Sequence, residues 1–320
     1  MRRSRRTAIV AALGLALTGC ANTGAGTAAA TAAPFQPIID MHRHTPWPGE
    51  SDAEGLALIR GELGRHGVVA AVLFITGRED VESYRSNEDV RFLLSPMFPC
   101  PALTAERKGC FIEADGPLPD AGWVEDQLAG GTLGGIGELV FNYAAVGPAD
   151  PAMEPFWRLA ARHDVPAFVH TGKGPGPGVG PRRHPGCCPD YRDDFGNPAL
   201  LRPILETDLD LRVSLQHVGF DYVDETLALL RDFPNVYLDM SVLNSVGPPE
   251  LHSASLRRIV EAGFADRIML GSDDQDLSQV VARVEGAAFL TAEQRRGIYY
   301  DNAARFLRLD APTIERDYRR

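Results

Sequence analysis

Eight short apolar runs divide the sequence from residue 37 onward, and each is followed by a stretch with helical spacing. The runs are PIIDMH, VVAAVLFIT, LLSPMF, LGGIGELV, VPAFVH, RVSLQH, VYLDMS and RIMLGSD. Most are continuous rather than alternating, the pattern of parallel strands buried on both faces. Between them, SDAEGLALIRGELGRHG opens with Ser51 and Glu54 in capping-box spacing and ends near Gly67. PAMEPFWRLAARHD sets Met153, Phe156, Trp157 and Ala160 on one helical face. DETLALLRDFP, LHSASLRRIVEAG and TAEQRRGIYYDNAARFLRL continue the series, the last with a second capping box at Thr291 and Gln294. GWVEDQLAGG fills the less regular third crossover. Strand and helix in eightfold alternation predict an α/β fold, a single-domain (β/α)8 TIM barrel over residues 37–310 with a tail at 311–320. A doubly wound sheet would need a Gly-rich phosphate turn after the first strand, and DMHRHTPWPG is not one.

The start of the chain has a different character. MRRSRR is a basic region and TAIVAALGLALTG a short apolar one, the layout of an export signal. LTGC, Leu17 to Cys20, resembles a bacterial lipobox, which implies a signal peptide at 1–19, a lipidated Cys20 and a small-residue tether over 20–36. An ordinary secretory signal is the alternative, and SRRTAIV partly matches a twin-arginine signal. The expectation is an exported protein held at the bacterial cell envelope by its lipid, the membrane being a partner through that anchor only. Cleavage before Cys20 would remove Arg2, Arg3, Arg5 and Arg6 and no acid, taking the formal charge from -11 to -15. Such a balance argues against nucleic acid as a partner, which needs a basic stripe. It leaves a small-molecule substrate.

Four more cysteines follow, and an exported chain can pair them. Cys100 and Cys110 bracket a plausible closed loop, while Cys187 and Cys188 are adjacent. Neither set has the C-x-x-C spacing of a zinc site. The longest loop, TGKGPGPGVGPRRHPGCCPDYRDDFGNP, follows the fifth strand and is read as a lid or pocket wall. Its Lys173, Arg182 and Arg183 are read as solvated charges before substrate ligands.

In a barrel of this kind the chemistry sits at the C-terminal ends of the strands. The polar residues at those ends are His42 and His44 on strand 1, Glu138 on strand 4, His170 on strand 5, His217 on strand 6 and Asp273 on strand 8. His42 and His44 are two apart and so project to one side, which turns Arg43 away from it. Any one of these histidines alone would more often be a satisfied polar residue than a ligand. Four of the eight histidines at the ends of three predicted strands change that balance. Imidazole with carboxylate suits zinc and similar divalent ions.

The set DMHRH, GIGEL, VHTG, QHVG and LGSD, in this order and on these strands, resembles the amidohydrolase superfamily. It is most similar to the amidohydrolase-related branch of metal-dependent hydrolases and decarboxylases, and IYYDNAARFLRL is similar to that branch's final helix. The resemblance implies that His42, His44 and His170 are metal ligands. His217 would be a second-metal ligand or a catalytic base and carbonyl polariser, and Asp273 a ligand that also takes the proton of the attacking water. Many superfamily members bridge two metals with a carboxylated lysine after strand 4. The only lysines here are Lys108 and Lys173, and neither falls there. Glu138 is the available bridging carboxylate, as in the TatD-like nucleases, so one ion or two remain open.

The sequence therefore predicts a metal-dependent, zinc-type hydrolase of an ester, lactone or amide, with Asp273 and His217 in the catalytic roles. The alternatives are a nonoxidative decarboxylase with one metal held by His42, His44, His170 and Asp273, and a non-catalytic ligand-binding surface lipoprotein.

Overall fold

The computed structural model describes residues 35–45, 52–78, 80–85, 90–99, 117–174, 188–241 and 249–320. All eight predicted strands form: β1 Ile38–His44, β2 Val68–Ile75, β3 Arg91–Pro96, β4 Ile136–Leu139, β5 Ala167–Val169, β6 Val213–Leu215, β7 Val236–Asp239 and β8 Ile268–Met269. They run parallel in two ribbons, β1-β2-β3 and β4 through β8 in sequence order.

Sparse main-chain bonds close the two seams. Phe98 N donates to Glu138 O at 2.9 Å and Val140 N to Phe98 O at 2.9 Å, which joins β3 to β4. Met41 N donates to Leu270 O at 2.8 Å and Asp273 N to His42 O at 2.8 Å, which joins β8 to β1. The barrel interior is the buried cluster of Ile39, Met41, Val72, Phe74, Phe168, Tyr237 and Met269. The larger cluster, with Leu63, Val124, Phe156, Leu230 and Ile259, lies between strands and helices. Each such side chain contributes about 1.5–3 kcal/mol by leaving water.

The helices follow the predicted periodicity, at Asp52–Arg65, Ala121–Ala129, Glu154–Arg162, Val223–Asp232 and Pro249–Glu261. The capping box of Thr291 and Gln294 is present, opening a helical segment that runs to Phe306 through a π-helical turn at Gly297–Asp301. Ser51 of the other capping box lies outside the described residues.

The segment read as a tail needs correction. Ala311–Tyr318 is a helix capped by Asp310. Its Asp317 is fully buried and accepts both guanidinium nitrogens of Arg91 at 2.6 and 2.7 Å and the Tyr300 hydroxyl at 2.8 Å. The polar look of the segment hid one carboxylate that two strand- and helix-borne donors draw inward.

The export signal, Cys20, Cys100, Cys110, Cys187, Arg182 and Arg183 lie outside the described residues. Cys188 is buried and disulfide-bonded. No helix among the described residues is long and apolar enough to cross a membrane.

Candidate metal centre

At the C-terminal end of β1 the register slips between Asp40 and Arg43. Beyond the slip Arg43 turns outward, as the spacing predicts. It is buried between β1 and β8 and donates to Glu62 and, at 3.3 Å, to the Ser272 hydroxyl, while Nε lies 3.2 Å from Asp274. Asp40, also outward, accepts from Ser272 N at 2.9 Å, Ser272 Oγ at 2.6 Å and His42 N at 3.2 Å. These bonds lock β1 to the β8 loop and fix the histidines that point the other way.

His42 and His44 pack on Phe74, the first T-shaped and the second tilted, with ring centroids 5.0 and 5.6 Å away. Their Nε2 atoms are 3.2 Å apart. Asp273 Oδ1 lies 3.4 Å from the first and 3.1 Å from the second, and Glu138 Oε2 lies 3.7 and 3.4 Å from them. A tetrahedral ion with ligand bonds of ~2.0–2.1 Å requires ligand–ligand edges of roughly 3.3 Å. The five edges bracket that value. This donor set fits a divalent ion such as zinc.

The other oxygen of the same carboxylate serves a second group. Glu138 Oε1 lies 3.0 Å from His170 Nδ1 and 3.8 Å from His217 Nε2, and those two nitrogens are 2.9 Å apart. Glu138 can face both ways because Gly137 holds a positive φ of 94°. There a Cβ would meet Phe168 O at 2.4 Å, and the β4–β5 register slips between Ile136 and Leu139. Such a bulge re-aims the next side chain. His217 and Asp273 also sit in the left-handed region, at φ 63° and 49°, so the strands end in kinks that carry both side chains across the barrel mouth.

Two residues were missed in the sequence. Asp239 and Ser241, at the end of β7, stand behind the histidines. Asp239 Oδ2 lies 3.3 Å from His42 Nδ1, and Oδ1 accepts from His217 N at 3.2 Å and Ser241 N at 3.0 Å. The Ser241 hydroxyl lies 3.0 Å from His42 Nδ1 and 2.9 Å from His217 Nδ1 and also bonds Asp239. Polar residues two apart at a strand end were the available signal, the same one that singled out His42 and His44. Aspartate and serine at such a position also read as turn chemistry.

The electrostatics match a cation site. Burial opposes a charged imidazole at His42, yet Asp273, Glu138 and Asp239 outweigh it and hold its pKa well above the usual value. His44 is raised in the same way, against burial, by Asp273, Glu138 and Asp274. Burial would raise Glu138, but His42, His170 and His217 hold it well below the usual carboxylate range. Asp273 is lowered against burial by His42, His44 and His217. Burial and the neighbouring His217 lower His170. Packed carboxylates thus call for positive charge at the points where the nitrogens converge.

All six predicted residues, His42, His44, Glu138, His170, His217 and Asp273, therefore converge on the barrel mouth. Among the described residues, the exposed Lys173 is tied only through its main chain, N to Asp221 at 2.9 Å and O to the Tyr191 hydroxyl at 2.5 Å. Tyr143 stands edge-on to His170 at 5.9 Å and to Tyr191 at 5.2 Å, forming a wall beside the centre.

A parallel eight-stranded barrel with imidazoles and carboxylates at the strand ends defines a class of metal-dependent enzymes, and the comparisons with known proteins agree. The family profile described as amidohydrolase matches residues 120–309, more than half of the chain, and the protein belongs to that family. The match runs from the helix Ala121–Ala129, before β4, to the last barrel helix and leaves out His42 and His44. No protein of curated function matches significantly.

Among solved structures, the chain is similar to a Pseudomonas putida protein designated 2-pyrone-4,6-dicarboxylic acid hydrolase. Identity is 17% and the TM-score 0.57, covering 85% of this chain and 98% of that one. It is similar to an uncharacterised TIM-barrel protein of Bordetella bronchiseptica at 17% identity and TM-score 0.60, over 85% and 98% of the two chains. A dihydroxybenzoic acid decarboxylase of Polaromonas, solved with bound manganese, matches at 15% identity and TM-score 0.52, over 87% and 98%. Likeness at these identities is likeness of fold.

Proposed function

We propose that the protein is a metal-dependent hydrolase that cleaves an ester, lactone or amide bond of a small molecule at a centre of two ions, zinc by its donor set. One observation carries this reading: the two oxygens of Glu138 face two separate groups of donors, His42, His44 and Asp273 on one side and His170 and His217 on the other. A single ion would engage only one of these two groups.

Divalent ions there would polarise a carbonyl and acidify water toward neutral pH. The chain supplies the rest. Asp273, held ionised, is the proton acceptor, and it faces His42 and His44 through Oδ1 while keeping part of its surface open. His217 turns Nε2 to Glu138 and His170 and Nδ1 to Ser241, an orientation that supports the ligand role over that of a free acid or base. Phe74 packs on His42, and Tyr143 with Tyr191 stands beside His170 as an aromatic wall at the edge of the centre.

The test is metal analysis followed by turnover. The protein is expected to retain about two ions per chain after dialysis and to release acid from an ester, lactone or amide panel without CO2. CO2 release from aromatic acids would instead favour the decarboxylase reading, which the names of some structurally similar proteins also suggest. Absence of both metal and turnover would favour the non-catalytic lipoprotein.

The sequence of residues 1–36 supports export and lipid anchoring at Cys20. Cys20→Ala is expected to move the protein from the membrane pellet to the soluble fraction. Retention in the pellet would remove the anchor.

A further inference from the structure

We infer that Ser241 is the positioning residue that couples the two halves of the centre, an inference resting on the two-ion reading above. A serine hydroxyl has one hydrogen to donate and two lone pairs. Ser241 uses all three. It donates to Asp239 and accepts from Nδ1–H of His42 at 3.0 Å and of His217 at 2.9 Å. Each imidazole then holds its proton at Nδ1 and presents Nε2 inward. The inward atoms belong to different groups, His42 Nε2 to the one with His44 and Asp273, His217 Nε2 to the one with His170. One buried hydroxyl thus sets the ring orientation of a ligand on each side.

The remaining two imidazoles show the contrast. Among the described residues, His44 Nδ1 and His170 Nε2, the atoms turned away from the donors, are buried without a hydrogen-bond partner. Among the described residues, only the pair held by Ser241 is fixed from behind. The two members of that pair are not equally dependent on it. His42 Nδ1 has a second acceptor, Asp239 Oδ2 at 3.3 Å, whereas among the described residues no other side-chain partner stands at His217 Nδ1. Loss of the hydroxyl is therefore felt more at the His170–His217 side.

The experiment is calorimetric titration of metal-free full-length protein with Zn2+, with stoichiometry by elemental analysis and the ion lost in His170→Ala marking the second side. Wild type is expected to bind two ions. Ser241→Ala is expected to weaken the second by about 10–100-fold, the usual cost of an outer partner, and the first by clearly less. Ser241→Thr, which keeps the hydroxyl, is expected to restore it, and melting of the metal-free variants controls for folding. If Ser241→Ala does not fold, Ser241→Gly, which also removes the hydroxyl and adds no ligand, replaces it. Two affinities unchanged, or two lowered by one common factor, would overturn the inference while leaving the two-ion reading intact. A wild type that binds fewer than two ions would overturn the reading itself.

Discussion

Glu138 and His170 meet at 3.0 Å through Oε1 and Nδ1, while the other oxygen of that carboxylate stands 3.4 Å from His44 Nε2. The glutamate is fully enclosed, so neither oxygen is free to turn to water. Its removal should act on both sides at once. Glu138→Gln is expected to reduce bound metal from about two ions to one or none, and to lower kcat by more than the ~10–100-fold typical of an outer partner. Unchanged stoichiometry and rate would take Glu138 out of the centre.

Asp273 should separate chemistry from binding. Its carboxylate is the only proposed proton acceptor, and general-base contributions run to ~10²–10⁴-fold. Asp273→Asn is expected to lower kcat within that range while KM changes little. Steady-state kinetics on metal-loaded protein checks this, and a change confined to KM would assign Asp273 to substrate binding instead.

The metal-free protein should have a pH optimum of stability set by its own centre. His42 carries a raised pKa in the fold, so its contribution is complete below the ordinary value of 6.5 and is lost as pH rises through the raised one. Glu138 carries a lowered pKa, so its contribution is complete above the ordinary value of 4.5 and is lost as pH falls through the lowered one. Both describe the same set of ion pairs and count once. Tm of the chelated protein is expected to peak between pH ~4.5 and ~6.5 and to fall on the alkaline side. Saturating divalent metal should remove the alkaline fall, because the cation takes the place of the proton. Thermal melts of chelated and loaded protein across pH 4–9 decide it; a chelated Tm that holds steady above pH 6.5 contradicts the expectation.

Arg43 should matter for the fold before it matters for the reaction. It is buried and balances Glu62, Asp274 and Asp40 behind β1. Removing one partner of a buried ionic group costs about 3–5 kcal/mol. Arg43→Ala is expected to destabilise the metal-free protein by that order in urea denaturation. A change under about 0.5 kcal/mol, as for an ordinary surface site, would show that the group is solvated.

Much of the architecture was legible because it is written in local periodicity. Continuous apolar runs gave all eight strands, and helical spacing with capping boxes gave the helices between them. The two-residue repeat of a strand put His42 and His44 on one side and Arg43 on the other, and the lack of a lysine after β4 pointed to Glu138. The Arg91–Asp317 pair was not legible, since it joins residues 226 apart and turns an apparent tail into a docked helix.

Which residues stand at the barrel mouth follows from strand alternation and strand ends, and both are local properties of the chain. What each of them touches there depends on how the barrel closes. Which oxygen of Glu138 faces which histidine depends on the kink at Gly137. The roles of Asp239 and Ser241 depend on β7 closing behind β1, across separations of 197 and 199 residues. Hydrogen bonds over such distances are fixed by barrel closure, which no local pattern encodes.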